Sequence, residues 1–149
     1  MHKLINCLTF LSLFLTLTFA GCEKDDLIDS LPTPIAKFVT QYYPGVGVSE
    51  YSFTNDSYHV KLKNGPGMTF NGSYDWISVN GYGEALPQVF LFDHLPPALY
   101  EYLQTGSLLG EVMSVDRTSR QYTVVLMYTT VYYNTDTGAI TQGPQPKGS

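Results

Sequence analysis

The feature that most restricts the fold is the similarity of the chain's second half to its first. The segment "LPTPIAKFV" from Leu31 is echoed by "LPPALYEYL" from Leu95, so that Ile35 meets Leu99, Phe38 meets Tyr102 and Val39 meets Leu103. At the same offset "YHVKL", Tyr58 to Leu62, meets "YTVVL", Tyr122 to Leu126. After a slip by one position, Phe70-Asn71 meets Tyr133-Asn134 and Ile77 meets Ile140. An ordered series across most of the chain predicts two diverged copies of one structural unit.

Each copy opens as a helix. Leu-Pro begins both, and proline suits the first turn, where its missing N–H costs nothing. Ile35, Phe38, Val39 and Tyr42 make one apolar stripe at helical spacing; Leu95, Leu99, Tyr102 and Leu103 make the other, with Asp93 as its expected N-cap. Pro44-Gly45 should stop the first helix and Gly106 the second. Strands are expected next, at 48–54, 58–63, 68–71 and 74–79, then at 111–116, 121–128, 130–134 and 139–142. Asn-Asp-Ser, Asn-Gly-Pro-Gly and Asn-Gly-Ser divide the first set, and connections this short make antiparallel hairpins. The expected fold is α+β: two tandem repeats of a helix plus a four-stranded antiparallel meander, forming one curved sheet with the helices on one face. Repeat one covers 31–85, repeat two 94–142, and 143–149 makes a flexible tail of glycine, proline and polar residues.

The N-terminal residues give an address. His2 and Lys3 precede an uncharged apolar run from Leu4 to Phe19, and Ala20-Gly21 supplies small residues for cleavage, so 1–21 reads as a secretory signal peptide. Asn6, Thr9, Ser12, Thr16 and Thr18 interrupt the run, which is shorter than the roughly 20 apolar residues of a membrane span. Phe19-Ala20-Gly21-Cys22 resembles the lipobox of bacterial lipoproteins, with Phe19 in place of the usual aliphatic residue. The resemblance implies acylation of Cys22. Cys7, the only possible disulfide partner, leaves with the signal, so the mature chain holds no internal disulfide. Residues 22–30 read as an acidic tether. Within it Lys24, Asp25 and Asp26 resemble the export signal that Bacteroidota place behind the lipidated cysteine of surface lipoproteins, which implies an outer-membrane lipoprotein exposed at the cell surface.

The full sequence carries a net charge of −5, and cleavage would remove Lys3 but no acidic residue, so the mature chain is more acidic still. That balance argues against nucleic acid and against electrostatic docking on anionic lipid. No nucleophile elbow or phosphate loop occurs, and Gly81-Tyr82-Gly83 lacks the third glycine of a dinucleotide fingerprint. His59 and His94 have no neighbours at metal-ligand spacing and are expected at the surface. Asp75, Glu84, Glu101 and Glu111 could supply a carboxylate pair, but nothing selects two of them. Catalytic residues, a metal and a cofactor are therefore not expected. A small extracytoplasmic hydrolase whose carboxylates converge only in three dimensions is the alternative, and a structural envelope protein a weaker one.

The repeats differ at one informative place. If Tyr58, Val60 and Leu62 face the helices, the opposite side of that strand shows His59, Lys61 and Lys63, whereas its counterpart shows Thr123, Val125 and Met127. A solvated face becomes semi-apolar. Either the inter-repeat segment "VFLFDHL", the tail or a twist covers it, or it is a binding patch. Together with Trp76, Tyr128 and Tyr132 these residues form the expected binding face for a protein or peptide at the cell envelope.

Leu-Pro-x-x-(Ile/Leu) opening a helix, "YYPG" at Tyr42 to Gly45, "YHVKL", "MTFN" and Trp76-Ile77 together resemble the PepSY-like family, described as similar to beta-lactamase-inhibitor protein and common among Bacteroidota lipoproteins. The resemblance spans Leu31 to Thr141. In the second copy "TGSLLG" replaces the Tyr-Pro-Gly ending, and Ala139 stands where Trp76 would. It implies a non-enzymatic binding module that restrains an envelope peptidase or hydrolase, and it carries over no catalytic residue.

Acylation is directly measurable. Protein extracted from host membranes should exceed the mass of the 22–149 polypeptide by its acyl groups, and Cys22→Ser should abolish that excess. An unmodified Cys22 in the membrane fraction would refute the reading.

Overall fold

Turn chemistry sets the topology. Asn55 and Asp56, both at positive φ, make the tight turn that matches the twist of paired strands, and they join β1 (Val48–Thr54) to β2 (Ser57–Leu62). Further hairpins follow through β3 (Gly67–Asn71) to β4 (Trp76–Asn80), and from β5 (Val112–Arg117) through β6 (Gln121–Leu126) and β7 (Thr130–Asn134) to β8 (Ile140–Gly143). In this computed structural model, which describes residues 26–144, all eight pair antiparallel in chain order as one open sheet. The halves meet where β4 pairs β5 through Ser78↔Asp116, Val79↔Val115 and Asn80↔Ser114.

The helices are α1 (Thr33–Tyr42), α2 (Gln88–His94) and α3 (Pro97–Thr105). They bury Ile35, Val39 and Tyr42, then Phe90 and Leu91, then Leu99 and Leu103. These side chains share one apolar cluster with alternate residues of the strands, including Val60, Leu62, Phe70, Val79, Val124, Leu126 and Val131. The helices therefore cover one face of the sheet and leave the other open. Fully burying each such side chain contributes about 1.5–3 kcal/mol.

Several features recur at the offset that relates Leu31 to Leu95. Pro32 and Pro96 hold the N-cap positions of α1 and α3 with nearly the same backbone angles. The pairing register shifts between Val48 and Glu50 and again between Val112 and Ser114. Lys63 N–H donates to the Gly47 carbonyl, and Met127 N–H to that of Glu111.

Other expectations need correction. The segment "VFLFDHL" is largely α2, a helix that its brevity hid. Asp93 lies inside α2 and caps nothing; α3 has no side-chain cap. Residues 27–30, expected in a free tether, form a 3-10 turn whose Leu27 and Ile28 pack against the core. Gly143, expected in the tail, pairs with Thr130. β6 ends at Leu126, leaving Met127 and Tyr128 in the turn that follows. The signal peptide, Cys22, Lys24, Asp25 and residues 145–149 lie outside the described residues.

The segment from β4 to β5 carries two helices, and its start is tightly held. Gly81 N–H donates to the Met113 carbonyl and Leu86 N–H to that of Val112, each at 2.8 Å. A Cβ at Gly81 would collide with the Glu84 carbonyl. Gly110, by contrast, has open space around it. Gly81→Ala should destabilise the chain by roughly 2–4 kcal/mol in a denaturant titration, because backbone must move, while Gly110→Ala stays within about 1 kcal/mol of the parent.

Candidate functional site

Pairing register defines the open face. One row runs without interruption from edge to edge: Ser52, His59, Thr69, Ser78, Asp116, Thr123, Tyr132 and Thr141. A second runs Glu50, Lys61, Gly67, Asn80, Ser114, Val125, Thr130 and Gly143. Successive strand residues point to opposite faces, so both rows lie away from the helices.

The two halves of this face differ. Over β1–β4 lies a hollow of about 570 Å³, lined by Glu50, Ser52, His59, Lys61, Thr69, Ser78, Asn80 and Tyr82 among others. His59 Nδ1 and the Thr69 hydroxyl are 3.3 Å apart, and Lys61 and Glu50 make an exposed ion pair at 3.6 Å. Tyr82 forms one wall. Its backbone N–H donates to Asn80 Oδ1 at 2.8 Å, and its ring lies where a Cβ on Gly67 would fall, 2.9 Å away. The glycine therefore makes the room that the ring occupies. Over β5–β8 the face tightens: Ser114 and Thr130 are buried, Thr123 and Val125 half-buried, and the Tyr132 ring lies over Gly143 as Tyr82 lies over Gly67.

Of the residues expected on the binding face, Thr123, Val125 and Tyr132 lie on the open face of the sheet. Met127 and Tyr128 are exposed, 45% and 80%, but in the turn at the strand ends. Trp76 is on the other side altogether, 3% exposed in the helix-covered core. The register shift between Thr69 and Phe70 sets its place opposite buried Phe70. Sequence reasoning passed over Ser52, Thr69, Ser78, Asn80 and Asp116, which join only through pairing. The short polar side chains alternating with core residues were the available signal.

Trp76 instead begins a hydrogen-bonded chain through the core. Its indole N–H donates to His94 Nδ1 at 3.0 Å. That assigns the proton of a neutral imidazole to Nε2, which is 2.8 Å from the Tyr42 hydroxyl; Tyr42 in turn donates to Asp93 Oδ2 at 2.9 Å. The chain ties β4, α2 and α1 together. The Arg117 guanidinium lies 4.3 Å from the Trp76 ring centre, and Arg117 Nε donates to the Trp76 carbonyl at 2.6 Å. His94, expected at the surface, is thus half-buried. Burial chiefly, and Arg117 secondarily, hold its pKa below the usual 6.5 against the opposing pull of Asp93. Burial and the bond to Asp93 push Tyr42 up to about 12. His59, as expected, is exposed.

Asp26 is engaged by the fold. Its Oδ1 accepts the N–H of Val48 at 3.0 Å and of Ile28 at 3.1 Å, and these bonds, aided by Lys63, hold its carboxyl below the usual 3.8. Among the described residues no group of three or more His, Cys, Asp or Glu could hold a metal ion, and no helix is long and apolar enough to cross a membrane.

No protein-family model and no curated protein matches the chain. Solved structures do. A DUF2874-family protein of Bacteroides vulgatus ATCC 8482, described as a candidate periplasmic protein, is 21% identical with a TM-score of 0.64, over 78% of this chain and 92% of its own. A Bacteroides thetaiotaomicron protein, described as a candidate calcium-regulated periplasmic protein, matches with the same identity, coverage and score. Similarity at this level shows a shared fold. A BLIP-like protein of Bacteroides fragilis NCTC 9343 aligns at 15% identity over 84% of this chain and 95% of its own, but its TM-score of 0.32 is too low to carry an argument.

The core chain has a pH signature. As pH falls, an unfolded chain protonates His94 near 6.5, whereas the folded chain resists until a lower pH. Stability should be full above that value and decline as pH falls through it toward the folded pKa. Thermal melts of wild type and His94→Gln between about pH 7.5 and 5 should show the decline only in wild type. Trp76→Phe leaves Nδ1 without its donor and should cost about 1–3 kcal/mol in denaturant at neutral pH.

Proposed function

We propose that this chain is an exported, lipid-anchored, non-enzymatic binding module that offers the open sheet face to a protein or peptide of the cell envelope, and thereby inhibits or regulates a peptidase or hydrolase there. The observation that carries the reading is the uncovered face itself: two cross-strand rows spanning eight strands, with a hollow of about 570 Å³ over the first four. A sheet face of this kind, polar at one end and half-apolar at the other, suits a partner of mixed character. The halves are read as diverged copies of one unit, supported by the register shifts and backbone bonds that recur between them. Export is supported by the sequence around Cys22 and is in keeping with the periplasmic description of proteins with this fold. Display at the surface of the outer membrane is assigned to Lys24 and Asp25, with Asp26 also committed to the fold.

The test is capture of partners from detergent-solubilised native envelope. Ser78→Arg with Thr123→Arg places two bulky charges at the centre of the face, while Glu101→Arg, on the exposed side of α3, serves as a control. Recovery of a specific partner should fall by about tenfold or more with the first variant and not with the control. Thermal melts verify that both are folded. Equal recovery by all three proteins would exclude this face.

A further inference from the structure

The chain joins the fold at one margin of the sheet, and that margin carries exposed aromatic tips. A meander puts the starts of β1, β3, β5 and β7 and the ends of β2, β4, β6 and β8 along the same margin. The pairs Val48↔Leu62, Gly67↔Asn80, Asn80↔Ser114, Val112↔Leu126 and Thr130↔Gly143 trace it. Along this margin lie exposed Lys63 and Asn64, then Tyr82, whose ring sits over Gly67 at the rim of the open face, then Tyr128, the two tyrosines being 68% and 80% exposed. Asp26 is fastened at the same margin through the Val48 N–H.

We propose that this margin rests on a phospholipid surface, with Tyr82 and Tyr128 in the headgroup layer and Asp26 as the clasp that fixes the stand-off. The proposal rests on acylation of Cys22. Its geometry follows from chain length. Four peptide steps separate Cys22 from Asp26, a reach of at most ~14 Å. An acylated Cys22 therefore holds Asp26, at the β1 end of this margin, within that distance of the membrane. The opposite margin, with the turns at 55–56, 72–75 and 118–120, lies a strand length away, about 20 Å for the six residues of β5. The tether is too short for the strands to stand upright on that far side while Asp26 stays bonded to Val48. Tyrosine suits the resting side, because its apolar ring and polar hydroxyl match the boundary between headgroups and acyl chains. Exposed aromatics also occur at the far margin, but Phe53 and Tyr74 there pack on Tyr58, with ring centres 4.4 and 5.3 Å from it.

Attachment itself comes from the acyl chains; the margin decides orientation. Since Tyr82 also walls the hollow, this orientation places the hollow beside the membrane, within reach of the membrane-proximal part of a partner.

The experiment uses the full lipidated chain in vesicles of phosphatidylethanolamine and phosphatidylglycerol containing a spin-labelled headgroup lipid. A fluorophore is attached to one introduced cysteine, Asn64→Cys or Glu84→Cys at the near margin, Asp56→Cys or Ser119→Cys at the far one. Near-margin labels should be quenched and far-margin labels should not. Equal quenching at both margins, or stronger quenching at the far one, overturns the proposal. Tyr82→Asp with Tyr128→Asp should lower the quenching at Glu84→Cys severalfold while mass and melting temperature show an acylated, folded protein; unchanged quenching overturns the role of the rings. Intact mass is measured first, so an unmodified Cys22, which overturns the anchor, is distinguished from an acylated chain that lies otherwise.

Discussion

The pairing of β4 with β5 is the constraint on which the rest depends. Three register pairs join two four-stranded meanders into one sheet, so that Ser78 continues into Asp116 and Asn80 into Ser114. Without that seam there would be two small sheets, each with little helix to cover it, and small units bury too little apolar surface to be stable alone. The seam also obliges the connecting segment to leave and return at one margin, which is why α2 and α3 lie over the sheet. The close turn at Gly81 and its bond to Met113 start that path.

A hydrogen-bonded chain runs from the covered face out to the surface. Buried Trp76, half-buried His94 and buried Tyr42 are linked in turn to exposed Asp93, so the cost of burying the first three polar groups is offset by bonds that also specify how α1 and α2 sit on β4. Phe38 and Phe90 surround the imidazole, with ring centres 5.5 and 5.1 Å from it. Burial among them is the chief cause that lowers the pKa of His94.

The open face shows how backbone register creates a surface from dispersed residues. Its hollow draws on four strands and on Tyr82 from a loop, brought over β3 because Gly67 has no side chain there. In the linear sequence all of β4 lies between Gly67 and Tyr82, and neither position carries a recognisable binding motif. The difference between His59, Lys61 and their counterparts Thr123, Val125 was legible, because strand alternation assigns faces without knowing neighbours. The placing of Trp76 was not, since its pairing with Phe70 follows a register shift that no alternation rule anticipates.

By itself the sequence determined the α+β class, the antiparallel hairpins, the stripes of α1 and α3, and the buried side of β2 and β6. Each of these rests on local periodicity or turn chemistry, whose causes lie within a few residues of one another. Only the tertiary structure decided that α2 exists as a third helix, that His94 and Trp76 meet on the helix-covered side, and that Asp26 is bonded to β1. Those outcomes depend on contacts between residues far apart in the chain, such as Trp76 with His94 and Tyr42 with Asp93. Packing and pairing select such partners from many chemically similar candidates, and one-dimensional spacing does not record the choice.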